Sequence, residues 1–187
     1  MPFRALILVL LLSCIPSSFA DDLGLQTPAS TVSGMSNYRL GSGDSVSINV
    51  FDEKEMSVDK ARLSDAGTIS IPMLGEVVVA GTTVSELESR IVQGLKEYLV
   101  NPRVMVTIDQ YRDFFVNGQI NKPGNFPYQP GLTVRKAVAI AGGFRDRASQ
   151  SHVAIIHEDD PSHTAVKADL GTLVQPGDII TVEESFF

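Results

Sequence analysis

No regular element of this chain can run far before glycine or proline breaks it, and that limits what it can fold into. The 187 residues hold 15 glycines and 10 prolines, concentrated where short β-prone runs end. The stretch Asn121–Gly143, NKPGNFPYQPGLTVRKAVAIAGG, carries Pro-Gly at Pro123-Gly124 and again at Pro130-Gly131, then a short apolar run that stops on Gly142-Gly143. Proline removes a backbone donor and fixes φ, while glycine supplies the left-handed φ of tight turns. What remains possible is a set of short strands and helices in small α+β modules.

The first module is read over residues 37–110. Val46, Ile48 and Val50 alternate with Ser45, Ser47 and Asn49, the mark of a half-buried strand that follows a turn at Gly41-Ser42-Gly43-Asp44. From Arg62 the pattern is turn and strand, with a hairpin signal at Asp65-Ala66-Gly67 and β-prone runs at Thr68–Ile71 and Glu76–Val79. Thr83 with Glu86 three residues on forms a capping box. Val84, Leu87, Ile91, Leu95 and Tyr98 then fall on one helical stripe, and Asn101-Pro102 ends the helix near Val100. Arg103–Asp109 alternates again, with Val104, Val106 and Ile108 on one side. The expectation is a small β-sheet carrying one amphipathic helix.

The second module, residues 111–187, contains the punctuated stretch. Phe114–Ile120 and Asn125–Tyr128 are read as a hairpin around the Asn121–Gly124 turn. Thr133 caps a helix that buries Val134, Ala137, Val138 and Ala141, and Gly142 supplies its left-handed stop. A hairpin followed by a short helix packed across it is a β-grasp, completed by strand candidates at His152–His157, Thr164–Leu170 and Ile179–Val182. A faint echo links the modules: Gly43-Asp44-Ser45-Val46-Ser47-Ile48 resembles Gly177-Asp178-Ile179-Ile180-Thr181-Val182, and in each Gly-Asp turns the chain into a strand. Six loosely matching residues do not make a repeat.

Residues 1–20 stand apart. Arg4 precedes an apolar run from Ala5 to Leu12 that ends in Ser18-Phe19-Ala20, the layout of a secretory signal peptide and too short for a bilayer span. Two processing routes compete: cleavage after Ala20, or lipidation at Cys14 within Leu11-Leu12-Ser13-Cys14. Residues 21–36, rich in Ser, Thr, Gly and Pro, read as a flexible tether. Cys14 is the only cysteine, so no disulfide can form within one chain. The formal charge is −7, and loss of Arg4 with the leader makes the remainder one charge more acidic. Such a balance with scattered basic residues argues against nucleic-acid binding.

The motifs Tyr38–Asp52 (YRLGSGDSVSINVFD), Gly67–Leu87 (GTISIPMLGEVVVAGTTVSEL) and Asn101–Ile108 (NPRVMVTI) resemble the export domain of the bacterial outer-membrane polysaccharide export family. Phe115–Phe144 and Gln175–Val182 (QPGDIITV) resemble its soluble-ligand-binding β-grasp (SLBB) domain. The resemblance implies a non-enzymatic subunit of a ring or conduit, in the periplasm or associated from there with the outer membrane, that passes capsular polysaccharide or exopolysaccharide. It further implies a homo-oligomer working with an inner-membrane polysaccharide co-polymerase. Large members continue into further β-grasp repeats and a pore-lining C-terminal helix, whereas this sequence ends at Phe187. The expectation is therefore a short member that needs a separate outer-membrane barrel or a lipid anchor. The rival reading is a monomeric periplasmic glycan-binding or sensing module.

Candidate chemistry is sparse. Arg135, Lys136, Arg145 and Arg147 form the densest basic group and are candidates for contact with an acidic glycan or a neighbouring subunit, against the alternative of a solvated face. His152 and His157 are five apart and would point to opposite faces of one strand, and His157 and His163 flank a polar turn, so solvated hairpin residues are expected and not a metal site. Asp52, Glu53 and Glu55 read as an exposed loop and not a glycosidase pair, and no Gly-x-Ser-x-Gly elbow is present. No cofactor is expected. Tyr111, Phe114, Phe115, Phe126, Tyr128 and Phe144 are expected to fill the core, while the terminal Phe186-Phe187 is offered as a docking pair for a partner.

Overall fold

The computed structural model describes residues 37–185. The leader with Cys14, the tether and Phe186-Phe187 lie outside the described residues. The fold is α+β, with two hydrophobic cores, each built by a sheet and one helix.

The first core is framed by β1 (Ser45–Val50), β2 (Val58–Arg62) and β5 (Val104–Gln110), which form an antiparallel sheet in the order β2-β1-β5. A separate hairpin pairs β3 (Thr68–Ile71) with β4 (Gly75–Val78). Alternation in β1 buries Val46, Ile48 and Val50 against Leu87, Ile91 and Leu95 of α1 (Val84–Leu95). The helix starts where the sequence says it must: Thr83 Oγ1 accepts from Glu86 N–H, and the Glu86 carboxylate accepts from Thr83 N–H at 2.9 Å. Gly94 lets α1 lie close to the hairpin, because a Cβ there would stand 2.8 Å from Leu74 Cδ2.

Two expectations change in this module. The helix ends at Leu95, and Tyr98, read as the last buried member of the stripe, is 48% exposed. Turns and bends begin directly after Leu95, about a full turn earlier than the apolar spacing suggested, and carry the chain to Asn101, at φ +57°, before Pro102. β2 was not anticipated, because VDKAR has no apolar alternation. It is an edge strand, with Lys60 at φ +50° and a register shift opposite β1, which are features of a bulged polar edge.

The second core lies between α2 (Val134–Ile140) and a five-stranded sheet made from β6 (Phe114–Gly118), β7 (Gly124–Phe126), β8 (Ala148–Ile156), β9 (Val166–Ala168) and β10 (Ile179–Glu184). The order is β7-β6-β10-β8-β9, with β10 parallel to β6 and antiparallel to β8. A hairpin, a helix across it and a last strand inserted beside the first give the β-grasp. Val134, Ala137 and Val138 of α2, with Ala141 just beyond it, pack against Phe114, Val116, Ile155 and Ile180. The Gly142-Gly143 pair ends α2 in a Schellman motif, with Gly142 N–H donating to Ala139 O and Gly143 N–H to Val138 O. Gly118 is fixed by contact as well as by φ (+83°), since a side chain there would collide with the Val182 carbonyl oxygen of β10.

β6, β7 and β9 are shorter than their sequence patterns, while β8 and β10 extend further. Phe114 is buried as expected, but its neighbour Phe115 points from the opposite face of β6 and is 46% exposed.

Candidate functional site

The two echoed Gly-Asp segments form the same turn. In Gly41–Asp44 the Asp44 N–H donates to Gly41 O at 3.1 Å, and the Asp44 carboxylate accepts from Gly41 N–H at 2.8 Å. In Gln175–Asp178 the matching distances are 3.2 Å and 2.6 Å. The glycine at the third position has φ +92° in one and +90° in the other, as a type II turn requires. Both aspartates are buried, and each turn leads directly into a central strand, β1 or β10.

Arg112, in the short link between β5 and β6, lies against both turns. Its backbone N–H donates to Asp44 Oδ1 at 2.7 Å, and its Nη1 reaches Asp44 Oδ2 at 3.4 Å and Tyr38 Oη at 3.0 Å. Its Nε stands 3.3 Å from Glu158 Oε2. A Cβ at Gly41 would strike the Arg112 guanidinium, and one at Gly177 would strike the Glu158 carboxylate and come within 2.8 Å of Arg112 Nε. Gly177 therefore serves two ends, permitting its turn and clearing space for the arginine, whereas in the first turn Gly43 permits the turn and Gly41 clears the space.

Three tyrosines pack beside this junction, with Tyr38 edge-on to Tyr111 at 5.1 Å and Tyr111 edge-on to Tyr128 at 5.4 Å. Burial, followed by the hydrogen bond to Asp44, drives the Tyr38 phenol far above its ordinary range, so it remains a donor to Asp44 at 2.6 Å. Burial also raises Tyr111 and Tyr128. The two aspartates differ in their company. Asp178 has one side-chain partner, His157 at 3.0 Å, and burial raises its carboxyl above the ordinary value against the pull of Gln175 N–H and His157.

A groove of about 370 Å³ opens beside Arg112, bordered by Ser42, Arg62, Gln110, Phe115, Asn125 and Glu158. Among the described residues Arg62 has no ion-pair partner, whereas Asn125 Nδ2 donates to Asp113 Oδ2 at 2.7 Å. The acids here are held by an amide or a guanidinium, an arrangement suited to recognising polar groups.

The expected basic residues are divided. Arg135 and Lys136 are exposed on α2, and Lys136 borders a cleft of about 300 Å³ with Gln129, Pro130, Leu132 and Ile140 while its ammonium donates to Gly131 O at 2.9 Å. Arg145 and Arg147 border a different cleft of about 320 Å³ with Gln119, Asn121 and Asp146, and Arg147 pairs with Glu184 at 3.2 Å. No cleft described among residues 37–185 unites the four. Asp52, Glu53 and Glu55 lie between β1 and β2, and Asp52 stands 3.7 Å from Arg103. His152 bonds Ser149 Oγ at 2.8 Å. His157 departs from the expectation of a solvated hairpin residue, because the β10 turn brings Asp178 beside it. Among the described residues no group of three or more His, Cys, Asp or Glu is placed to hold a metal. Sequence reasoning missed Arg112 and Glu158, although the Gly-Asp echo marked both turns that receive them.

Among the described residues no helix is long and apolar enough to cross a membrane. Residues 32–109 match the family described as polysaccharide biosynthesis/export protein, and residues 114–162 match the SLBB domain. The chain is 33% identical over 121 residues to the exopolysaccharide production protein ExoF of Rhizobium meliloti (strain 1021), covering 58% of this chain and 28% of the relative. It is 29% identical over 131 residues to the EPS I polysaccharide export outer membrane protein EpsA of Ralstonia nicotianae (strain ATCC BAA-1114 / GMI1000), covering 57% and 34%. Against EpsA of Ralstonia solanacearum the identity is 27% over 187 residues, covering 78% of this chain and 48% of the relative. The chain thus spans less than half the length of the curated relatives it matches.

Proposed function

We propose, on the premise that this chain belongs to the polysaccharide biosynthesis/export family with an SLBB domain after its export domain, that it is a non-catalytic component of a polysaccharide export machine. The observation that carries this reading is the order of the two matches, 32–109 then 114–162, on a fold whose second core is a β-grasp. Relatives named for exopolysaccharide production and export add support. In this reading residues 1–20 are a cleaved leader, 21–36 a tether, 37–110 the export module and 111–187 the β-grasp module. The protein works in the periplasm at the outer membrane, as a homo-oligomeric ring or conduit subunit. Its partners are the polysaccharide, an inner-membrane co-polymerase and a separate outer-membrane barrel.

The mechanism is geometric. A hydrophilic polymer in transit needs weak, repeated polar contacts, and small polar clefts supply these better than one deep pocket would. The basic residues Arg135, Lys136, Arg145 and Arg147 remain, in this reading, contacts for polymer or for a neighbouring subunit, with the Arg145–Arg147 cleft separate from that at Lys136.

The test is a deletion strain. Secreted polysaccharide falls while cytoplasmic synthesis continues, and unaltered secretion refutes the proposal. Solution mass separates the ring from its rival, since a stable monomer with saturable oligosaccharide affinity identifies a glycan-binding or sensing module.

A further inference from the structure

The groove beside Arg112 has a composition that the clefts near α2 lack. It joins an exposed aromatic face to paired hydrogen-bonding groups. Phe115 lies on the face of the β6 sheet that α2 does not cover, and its cross-strand neighbour on β7 is Asn125. Asn125 holds Asp113 at 2.7 Å, so an amide and a carboxylate stand side by side. Arg62 lies at the other rim with no ion-pair partner among the described residues, close enough that a Cβ on Gly43 would be 3.7 Å from its Nη2.

From this geometry we infer that the groove is a weak subsite for one neutral sugar ring of the polymer, which rests on the export reading above. An aromatic face takes the apolar C–H side of a pyranose. The Asp113–Asn125 pair presents an acceptor next to a donor, which is what two adjacent hydroxyls of a sugar require. The volume of about 370 Å³ is near the small end of ligand pockets, roughly 300–1,000 Å³.

Charge decides between sugar classes. Arg62 and Arg112 are balanced at the rim by Asp113 and Glu158, and Asp44 lies buried beneath with its own negative charge. Arg112 is already engaged by Asp44 and Glu158. A uronate or other anionic unit would meet two carboxylates with one free guanidinium, whereas an uncharged ring carries no charge for those carboxylates to repel. Affinity is weak because Arg112, Asp113, Asn125 and Glu158 are already partnered and Arg62 is left free among the described residues, so a sugar replaces water and gains little charge-assisted bonding.

Saturation-transfer NMR on the purified full chain tests this, with methyl glucoside, methyl galactoside and methyl mannoside as neutral probes and methyl glucuronide as the charged one. At least one neutral probe shows saturable transfer to its ring C–H protons at millimolar concentration, unchanged by added salt. Phe115→Ala weakens that binding by about fivefold to tenfold, the loss of one stacking contact. Arg62→Ala weakens it as well, and both variants keep their melting temperatures within about 4 °C because both side chains are exposed.

No transfer from any neutral probe up to about 50 mM, transfer indifferent to Phe115→Ala, or a salt-sensitive preference for the glucuronide each overturns the assignment. The subsite and the export role fail separately. Lost secretion in the deletion strain together with an empty groove removes the subsite alone. Groove binding with unaltered secretion upholds the subsite and removes the export role.

Discussion

Replacing Asp44 with asparagine changes one oxygen to an NH2 group in a site that solvent does not reach. Asp44 accepts from Gly41 N–H at 2.8 Å, Arg112 N–H at 2.7 Å and Tyr38 O–H at 2.6 Å, and it faces Arg112 Nη1 at 3.4 Å. An asparagine can place its oxygen toward Arg112 N–H, leaving Gly41 N–H and the guanidinium opposite a second donor. It can also flip, which serves Gly41 and Tyr38 and strands Arg112 N–H. In either state one buried donor loses its acceptor, at about 1–3 kcal/mol, and the partly buried arginine loses its only fully buried counter-charge. The sum is about 3 kcal/mol, or a fall in melting temperature of about 6–12 °C for a chain of this size. Urea denaturation followed by circular dichroism measures it. The internal control is Asp178→Asn, which keeps one oxygen for Gln175 N–H and offers its amide to His157, and so loses about 1 kcal/mol or less at neutral pH. A loss below about 1 kcal/mol for Asp44→Asn, or an equal loss at both turns, refutes the claim that Arg112 makes the first turn the stronger joint.

Four further outcomes follow from the same geometry. Gly118→Ala, which meets both a positive φ and the Val182 carbonyl, destabilises by about 2–4 kcal/mol in the same denaturation assay, and a loss within ±0.5 kcal/mol would contradict the packing described. Thr83→Ala removes an N-cap and lowers stability by about 1 kcal/mol, measured as a shift in urea midpoint at unchanged m-value. Because burial raises Asp178 above its ordinary 3.8, the folded chain takes up this proton before the unfolded chain does. Its contribution therefore grows as pH falls through the raised value toward 3.8, and the stability of wild type relative to Asp178→Asn rises from pH 7 toward that limit in paired melts. Glu86 behaves oppositely: the Thr83 N–H and Arg39 hold it below its ordinary 4.5, so the advantage over Glu86→Gln is present above 4.5 and fades as pH falls through the lowered value.

The sequence by itself determined the local punctuation. Thr83 with Glu86, the alternation around Val46–Val50, and Gly142-Gly143 act through neighbours within a few residues, so their consequences were fixed before any tertiary contact formed. Periodicity likewise announced the buried faces of α1 and α2, because helices and strands repeat their direction at known intervals. Polar edge strand β2 carried no such signal, and Tyr98 showed that a helical stripe does not say where the helix stops.

Only the tertiary structure decided what the two Gly-Asp turns are for. Arg112 is 68 positions from Asp44 in sequence, and Glu158 is farther along the chain than Arg112, so no local pattern places them together. Their meeting depends on β5 delivering Arg112 beside one turn and β10 carrying the other turn to the centre of the second sheet. The same long-range pairing exposed Phe115 beside Asn125 and separated Lys136 from the Arg145–Arg147 cleft. Hydrogen bonds and charge pairs act over a few ångströms of space and are indifferent to chain distance, so the junction and its groove came into view only when the strands were in register.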